Sequence, residues 1–371
     1  MIPLFLLAAS LLSSSALAAT TCNGDDSLCD RSYSNMTFLG AHDSYAVGTS
    51  LADDQSSGVT DQLNDGIRTL QIQAHNMSDG IHLCHSACSL LDGGLMESYL
   101  AEVNTWVSAN PNEVITIVIV NSDSLPPTAY ESAFQSSGLQ SHVYSPPSAA
   151  IAFNAWPTLG SLIDAGTTVV VFMNYDADFN QVPWIIDEFS NMFEDSYNDV
   201  DTTWSCAANR SGSNPASSLM MVNHFLDVVY DLAGTAIYIP DKDAINTTNS
   251  ESSLEIHVDN CMTLWGRHPN HILLDFYNSN GNAPFDYVAQ LNGVPAPTTN
   301  VQAVAPGGGE NSSSGNGTDS SNQAQISSSS RSSTGSGGAY GRAGMLPTES
   351  WTLTVSLIGM GLGGGVVSLW L

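Results

Sequence analysis

Short apolar runs alternate with amphipathic stretches along most of the chain, the pattern of parallel strands covered by helices. The runs at 36–41, 67–73, 81–84, 114–121, 168–174, 219–225 and 272–276 predict strands. Two of them, "VITIVIV" and "TVVVFM", are apolar at successive positions and rich in β-branched residues. Both faces of such strands must be buried, as parallel sheets require. Between the third and fourth runs, Leu95, Met96, Tyr99, Leu100, Val103, Trp106 and Val107 recur at helical spacing. They predict a helix ending at Asn110-Pro111, with this stripe as core packing. Alternation of this kind without a Gly-rich phosphate-binding turn favours a (β/α) barrel over a dinucleotide fold.

The pattern changes at both ends. Residues 1–18 hold the apolar run "IPLFLLAASLL" followed by Ala16-Leu17-Ala18, a secretory leader with a small-residue cleavage site. Residues 351–371 are apolar to the last position, behind a polar spacer and the small triplet Ser336-Gly337-Gly338. This is the layout of a glycosylphosphatidylinositol attachment signal, with Ser336 as the expected attachment site. Residues 296–350 are dominated by Ser and Gly; they cannot form a core and read as a disordered stalk. Residues 19–295 remain as a single barrel-sized domain.

Composition supports an extracellular address. Six cysteines are an even set behind a secretory leader, so disulfides are expected. Zinc binding at Cys84 and Cys88 is disfavoured, because no second cysteine cluster accompanies them. Asn35, Asn76, Asn209, Asn246, Asn311 and Asn316 begin glycosylation sequons. Seven Lys and Arg against 36 Asp and Glu give a net charge of −29. No basic patch can be assembled from them, so nucleic acid is excluded as a partner.

His42 and His85 each end a short apolar run, in "MTFLGAHDSY" and "DGIHLCHSAC". Two imidazoles at one end of a sheet could supply the base and the acid of a phosphodiester transfer that uses no metal or cofactor. "LGAHDSY", "QLNDGIRTLQIQAH", "IHLCHSAC" and "WVSANPNEVITIVIVN", in that order, resemble successive core segments of the phosphatidylinositol-specific phospholipase C catalytic domain. The likeness is greatest to its secreted fungal branch, the PLC-like phosphodiesterases, and covers roughly residues 22–295. It implies an α/β fold, an irregular (β/α) TIM-type barrel in a single domain.

The resemblance implies His42 as general base and His85 as general acid, acting on a phosphoinositol lipid to leave a cyclic inositol phosphate. It further implies Asp43 as the acid beside the first histidine. Asp275, in "LLDFY", is the candidate for orienting His42. Local proximity and the resemblance together favour Cys22 with Cys29, Cys84 with Cys88, and Cys206 with Cys261. The second pair would bracket His85.

The second strand departs from the family. Period-two alternation places Gln71 and Gln73 on the face opposite Arg68, Leu70 and Ile72. The bacterial metal-free enzymes have an Asp and an Arg there, and the animal enzymes have acids that help bind calcium. This chain offers neutral amides, which reduces the electrostatic stabilisation of phosphoryl transfer. Gln71, Gln73, the nearby His75 and a loop cation, Arg210 first among Arg210, Arg267 and Lys242, are the candidate substrate-binding residues. No metal ligand set is expected.

Two alternatives follow. One is a catalytically weak or inactive barrel that binds inositol phosphate or cell-wall glycan. The other is a glycoside-acting barrel, which Glu113 and Glu188 do not support, since they read as a connection and a helix-surface residue. The expected partners are the phosphodiester substrate and a membrane reached through the lipid anchor.

Overall fold

The computed structural model describes residues 18–232 and 235–306. The expected leader, most of the expected stalk and the expected C-terminal attachment signal lie outside these residues. The strands in chain order are β1 (Phe38–Ala41), β2 (Thr69–Met77), β3 (Gly80–His85), β4 (Leu91–Leu95), β5 (Ile115–Asn121) and β6 (Val169–Met173). They continue as β7 (Ile185–Asp187), β8 (Met192–Glu194), β9 (Leu219–Asn223), β10 (Asp227–Leu232), β11 (Thr235–Pro240) and β12 (His271–Leu274).

Eight of them form one curled parallel sheet in the order β7-β6-β5-β2-β1-β12-β9-β8. Followed round the sheet, these strands come in chain order, so the fold is a TIM-type (β/α) barrel. β7 and β8 do not pair, which leaves a seam. Only the four residues Glu188–Asn191 join them, too few to bring the chain back for a neighbouring parallel ladder.

Alternation along the strands divides the apolar residues into two layers. Phe38, Val118, Phe172, Met221 and Leu273 belong to the cluster filling the barrel. Leu39, Ile117, Val171, Val222 and Ile272 pack outward with Leu100, Val103, Val258 and Val288 of the helices. Gly40 belongs to the inner layer, where a Cβ would lie 2.6 Å from Leu273 Cδ2 and 2.9 Å from Thr69 Cβ. Only glycine fits there.

The predicted helix is Met96–Ala109, and its stripe from Met96 to Val107 is buried. Leu95 is the exception, ending β4 at 37% exposure. The run at 81–84 is not a barrel strand. It is β3, antiparallel to β2 and β4 in a ribbon beside the barrel. A short alternating run has the same local pattern in either setting.

Two further expectations change, and one pair of strands has no counterpart among the predicted runs. β10 and β11 form a separate antiparallel arm. Glu188 is fully buried in the seam, with burial first and then the neighbouring Glu194 pushing its carboxyl well above the usual range; it is not a surface residue. The folded chain also extends past residue 295, since Val301 is buried and its N–H donates to Asn282 Oδ1. Asn282 Nδ2 also donates to Thr299 O, and Val304 N–H donates to Asn278 O, so hydrogen bonds hold this polar segment together with the buried Val301. The three disulfides are Cys22–Cys29, Cys84–Cys88 and Cys206–Cys261. Asn35, Asn76, Asn209 and Asn246 are all exposed. Among the described residues no helix is long and apolar enough to cross a membrane.

Candidate active site

The inner layer that is apolar inside the barrel turns polar where the strands end. His42 follows β1 and its N–H donates to Leu274 O, continuing the β1–β12 ladder; Asp275 follows β12. The two therefore meet, with His42 Nδ1 2.7 Å from Asp275 Oδ1. That contact places the ring hydrogen on Nδ1 and turns Nε2 to the mouth. Phe225 stacks on the imidazole at 4.0 Å between ring centroids and 11° between planes.

His85 arrives from the side, at the end of β3. Its Nδ1 donates to the Ala52 carbonyl at 2.7 Å and lies 3.1 Å from Asp54 Oδ2. Its Nε2 also faces the mouth. The two rings stand edge to face with centroids 6.4 Å apart. Asp43 Oδ2 lies between them, 4.0 Å from Nε2 of His42 and 3.8 Å from Nε2 of His85.

The residues immediately after His42, His85 and Asp275 all have positive φ: Asp43 at 36°, Ser86 at 58° and Phe276 at 42°. Such a conformation is unfavourable for non-glycine residues and for a bulky aromatic above all. Three of them at one mouth fit the tendency of backbone strain to collect at functional sites.

Burial disfavours charge on His42, but Asp275, Asp43 and Asp54 outweigh it and push the imidazole up to about 9. Burial likewise opposes charge on His85, and Asp54 and Asp43 push it up to about 11. Burial raises Asp54 to about 6 despite the opposing pull of His85. Asp227 at the base of the arm is raised to about 7 by burial and by Asp275.

Gln71 and Gln73 do line the mouth, as their alternation predicts. Both also hold the backbone. Gln71 Oε1 accepts from Asp43 N–H at 3.1 Å, Gln73 Oε1 accepts from Ser86 N–H at 2.8 Å, and Gln73 Nε2 donates to Ser122 Oγ at 3.0 Å. Each glutamine thus steadies a strained residue next to a histidine. Arg210 reaches the mouth too, clamped to Glu194 and lying over the Tyr197 ring. His75 does not; it lies further along β2, with Nδ1 3.2 Å from Asp123 Oδ1. Of the other cations, Lys242 donates to Ser50 O, and Arg267 is occupied by the carbonyls of Pro215 and Ser218.

Asp54 is the site residue that sequence reading missed. An acid in a polar loop carries no periodic signal, and only the folded loop brings it to His85. The groups His42, Asp54, Asp275 and Asp43, Asp54, His85 are compact enough to hold a cation, but the same carboxylates already face two imidazoles. Cys206, His257 and Cys261 are similarly close, with both sulfurs consumed in a disulfide.

A parallel barrel whose mouth carries two carboxylate-held histidines defines the phospholipase C-like class of α/β folds. The PI-PLC X domain model (PI-PLC X 1) matches residues 28–292, and the chain belongs to that family. It is 39% identical over 262 residues to PI-PLC X domain-containing protein 1 of Arthroderma benhamiae, a match covering 69% of this chain and 84% of that one. It is 40% identical over 284 residues to an uncharacterized secreted protein of the same fungus, covering 74% of this chain and 64% of the relative. Among solved structures, phosphatidylinositol-specific phospholipase C from Listeria monocytogenes aligns with a TM-score of 0.48 and 13% identity, over 71% of this chain and 95% of that one.

Proposed function

We propose that this protein is a phosphodiesterase of phosphoinositol-type lipids, working by paired proton transfer. The observation that carries the reading is the opposition of His42 and His85, each held at Nδ1 and each presenting Nε2 to the same gap. Neutral His42 takes the proton of a headgroup hydroxyl. That oxygen bonds to phosphorus, the bond from phosphorus to the glycerol oxygen breaks, and His85 delivers a proton to the departing oxygen. The products are a cyclic phosphodiester and a diacylglycerol. Asp275 orients the base, while Asp54 and Asp43 keep the acid charged.

The rim supports a lipid substrate. Leu51, Leu90, Tyr175, Val200, Val229 and Tyr230 are all exposed large apolar residues, and all lie in segments that open onto the carboxyl-end mouth. The test is to offer the secreted full chain a phosphoinositol lipid in vesicles beside a water-soluble phosphodiester. Turnover of the lipid with release of cyclic product supports the reading; turnover of neither overturns it.

One observation favours a second reading, a binding module for an inositol phosphate. The mouth's amides are engaged internally and its arginine is tied to Glu194, so beyond the imidazoles little positive charge faces a pentavalent phosphorus. Binding of an inositol phosphate without turnover would select it. We further propose secretion and retention by a glycosylphosphatidylinositol anchor, for which the terminal segments 1–18 and 351–371 and the likeness to a secreted fungal protein are the support. Persistence at the surface after deletion of 351–371 would contradict the anchor.

A further inference from the structure

Behind the mouth, a row of buried polar side chains leads away from β9. Asp195 Oδ1 accepts the Asn223 N–H at 2.8 Å, and the amide Nδ2 of the same residue lies 3.4 Å away. Asp195 Oδ2 is 2.8 Å from His257 Nε2, His257 Nδ1 is 2.9 Å from His224 Nδ1, and His224 Nε2 is 2.8 Å from Thr248 O. None of Asp195, His224 and His257 is more than 1% exposed. The Trp204 ring covers both imidazoles, with centroids at 4.1 and 5.2 Å.

The hydrogens can be counted. The Thr248 carbonyl only accepts, so His224 Nε2 bears a hydrogen. The two remaining links, imidazole to imidazole and imidazole to carboxylate, each need one more. Two neutral imidazoles supply two hydrogens and an ionised carboxylate none. The third must be a titratable proton, wherever along the row it resides.

We propose that Asp195, His257 and His224 form a positioning unit that retains one proton at neutral pH and fixes the end of β9 against the mouth. His224 is held through its ring by Thr248 and through its N–H by Leu273 O. Its neighbour Asn223 is held by Asp195, and its other neighbour, Phe225, is the residue stacked on His42. Burial pushes Asp195 well above the carboxylate range and drives His224 well below and His257 down to about 4; this places the retained proton on Asp195. Glu194 and Asp199 are the other charged groups acting on Asp195, and Asp199 also acts on His257. The catalytic consequence rests on His42 being the base; the proton count does not.

The test compares Asp195→Asn with the parent full chain. An asparagine amide can donate to His257 Nε2 and accept from Asn223 N–H, so the row stays intact without its extra proton. An unfolded aspartate releases its proton above about pH 4, whereas the folded row keeps it. The parent therefore loses stability relative to the variant as pH rises. Denaturation from roughly pH 5 to 9 should show that difference growing with the slope of one proton. A difference independent of pH overturns the proton assignment. For positioning, His257→Phe should displace the NMR titration of His42, while Asp195→Asn leaves it in place. If His257→Phe does not fold, Asp195→Ala takes its place in the comparison. An unmoved His42 titration in the row-breaking variant overturns the positioning role, whether or not any phosphodiester is turned over.

Discussion

Asp54 Oδ2 lies 3.1 Å from Nδ1 of His85, and the carboxylate side chain is sealed from solvent. A buried acid against a half-buried imidazole favours the charged ring, the form in which Nε2 can give up a proton. Asp54→Asn should therefore slow cleavage of a substrate with a poor leaving group by about tenfold or more, within the range that positioned proton transfer is worth. An activated leaving group should be much less affected. Equal slowing of both substrates would remove Asp54 from the acid's support.

His42→Ala and His85→Ala should each reduce turnover by about a hundredfold or more in a chain that still folds, with some melting temperature lost because Asp275 or Asp54 is left buried without its imidazole. The double variant should be little worse than either single, because the two act as one unit. A good leaving group should rescue His85→Ala in part and His42→Ala not at all. Rescue of both alike would reverse or dissolve the assigned roles.

The carboxylates around the mouth set a pH dependence. The base must be neutral, and His42 is raised to about 9, so kcat/KM should climb as pH rises through that region. The acid must be charged, and His85 is raised to about 11, so the fall should come only in strong alkali. Asp275→Asn removes a carboxylate that favours the imidazolium and should move the rising limb to lower pH. A rate profile peaking below neutrality in the parent would contradict this arrangement.

Chelation should leave most of the activity, with a change of no more than about twofold, because Gln71 and Gln73 bring no charge for a hard cation. Complete loss in chelator with recovery on adding calcium would reassign Asp43, Asp54 and Asp275 as metal ligands.

Cys84 and Cys88 close a short loop that begins beside His85. So short a loop restrains the unfolded chain little, and replacing both by serine should lower activity more than melting temperature. A melting loss without an activity loss would make the bridge purely structural.

What the sequence determines here is local. Strand positions follow from apolar runs, and the inward face of Gln71 and Gln73 follows from a repeat of two, because both depend only on backbone geometry within a few residues. The same logic put His42 at the end of β1 and Asp275 at the end of β12. What the tertiary structure decided lies between segments. It took β3 out of the barrel and brought His85 in from a side ribbon, where Asp54 meets it from a loop. It buried Glu188 at a seam too short to close, ordered Val301, and linked Asp195 to two histidines behind β9. None of these leaves a mark in spacing, because each brings together segments whose approach is set by the curling of the whole sheet and by the cost of leaving a buried polar group without a partner.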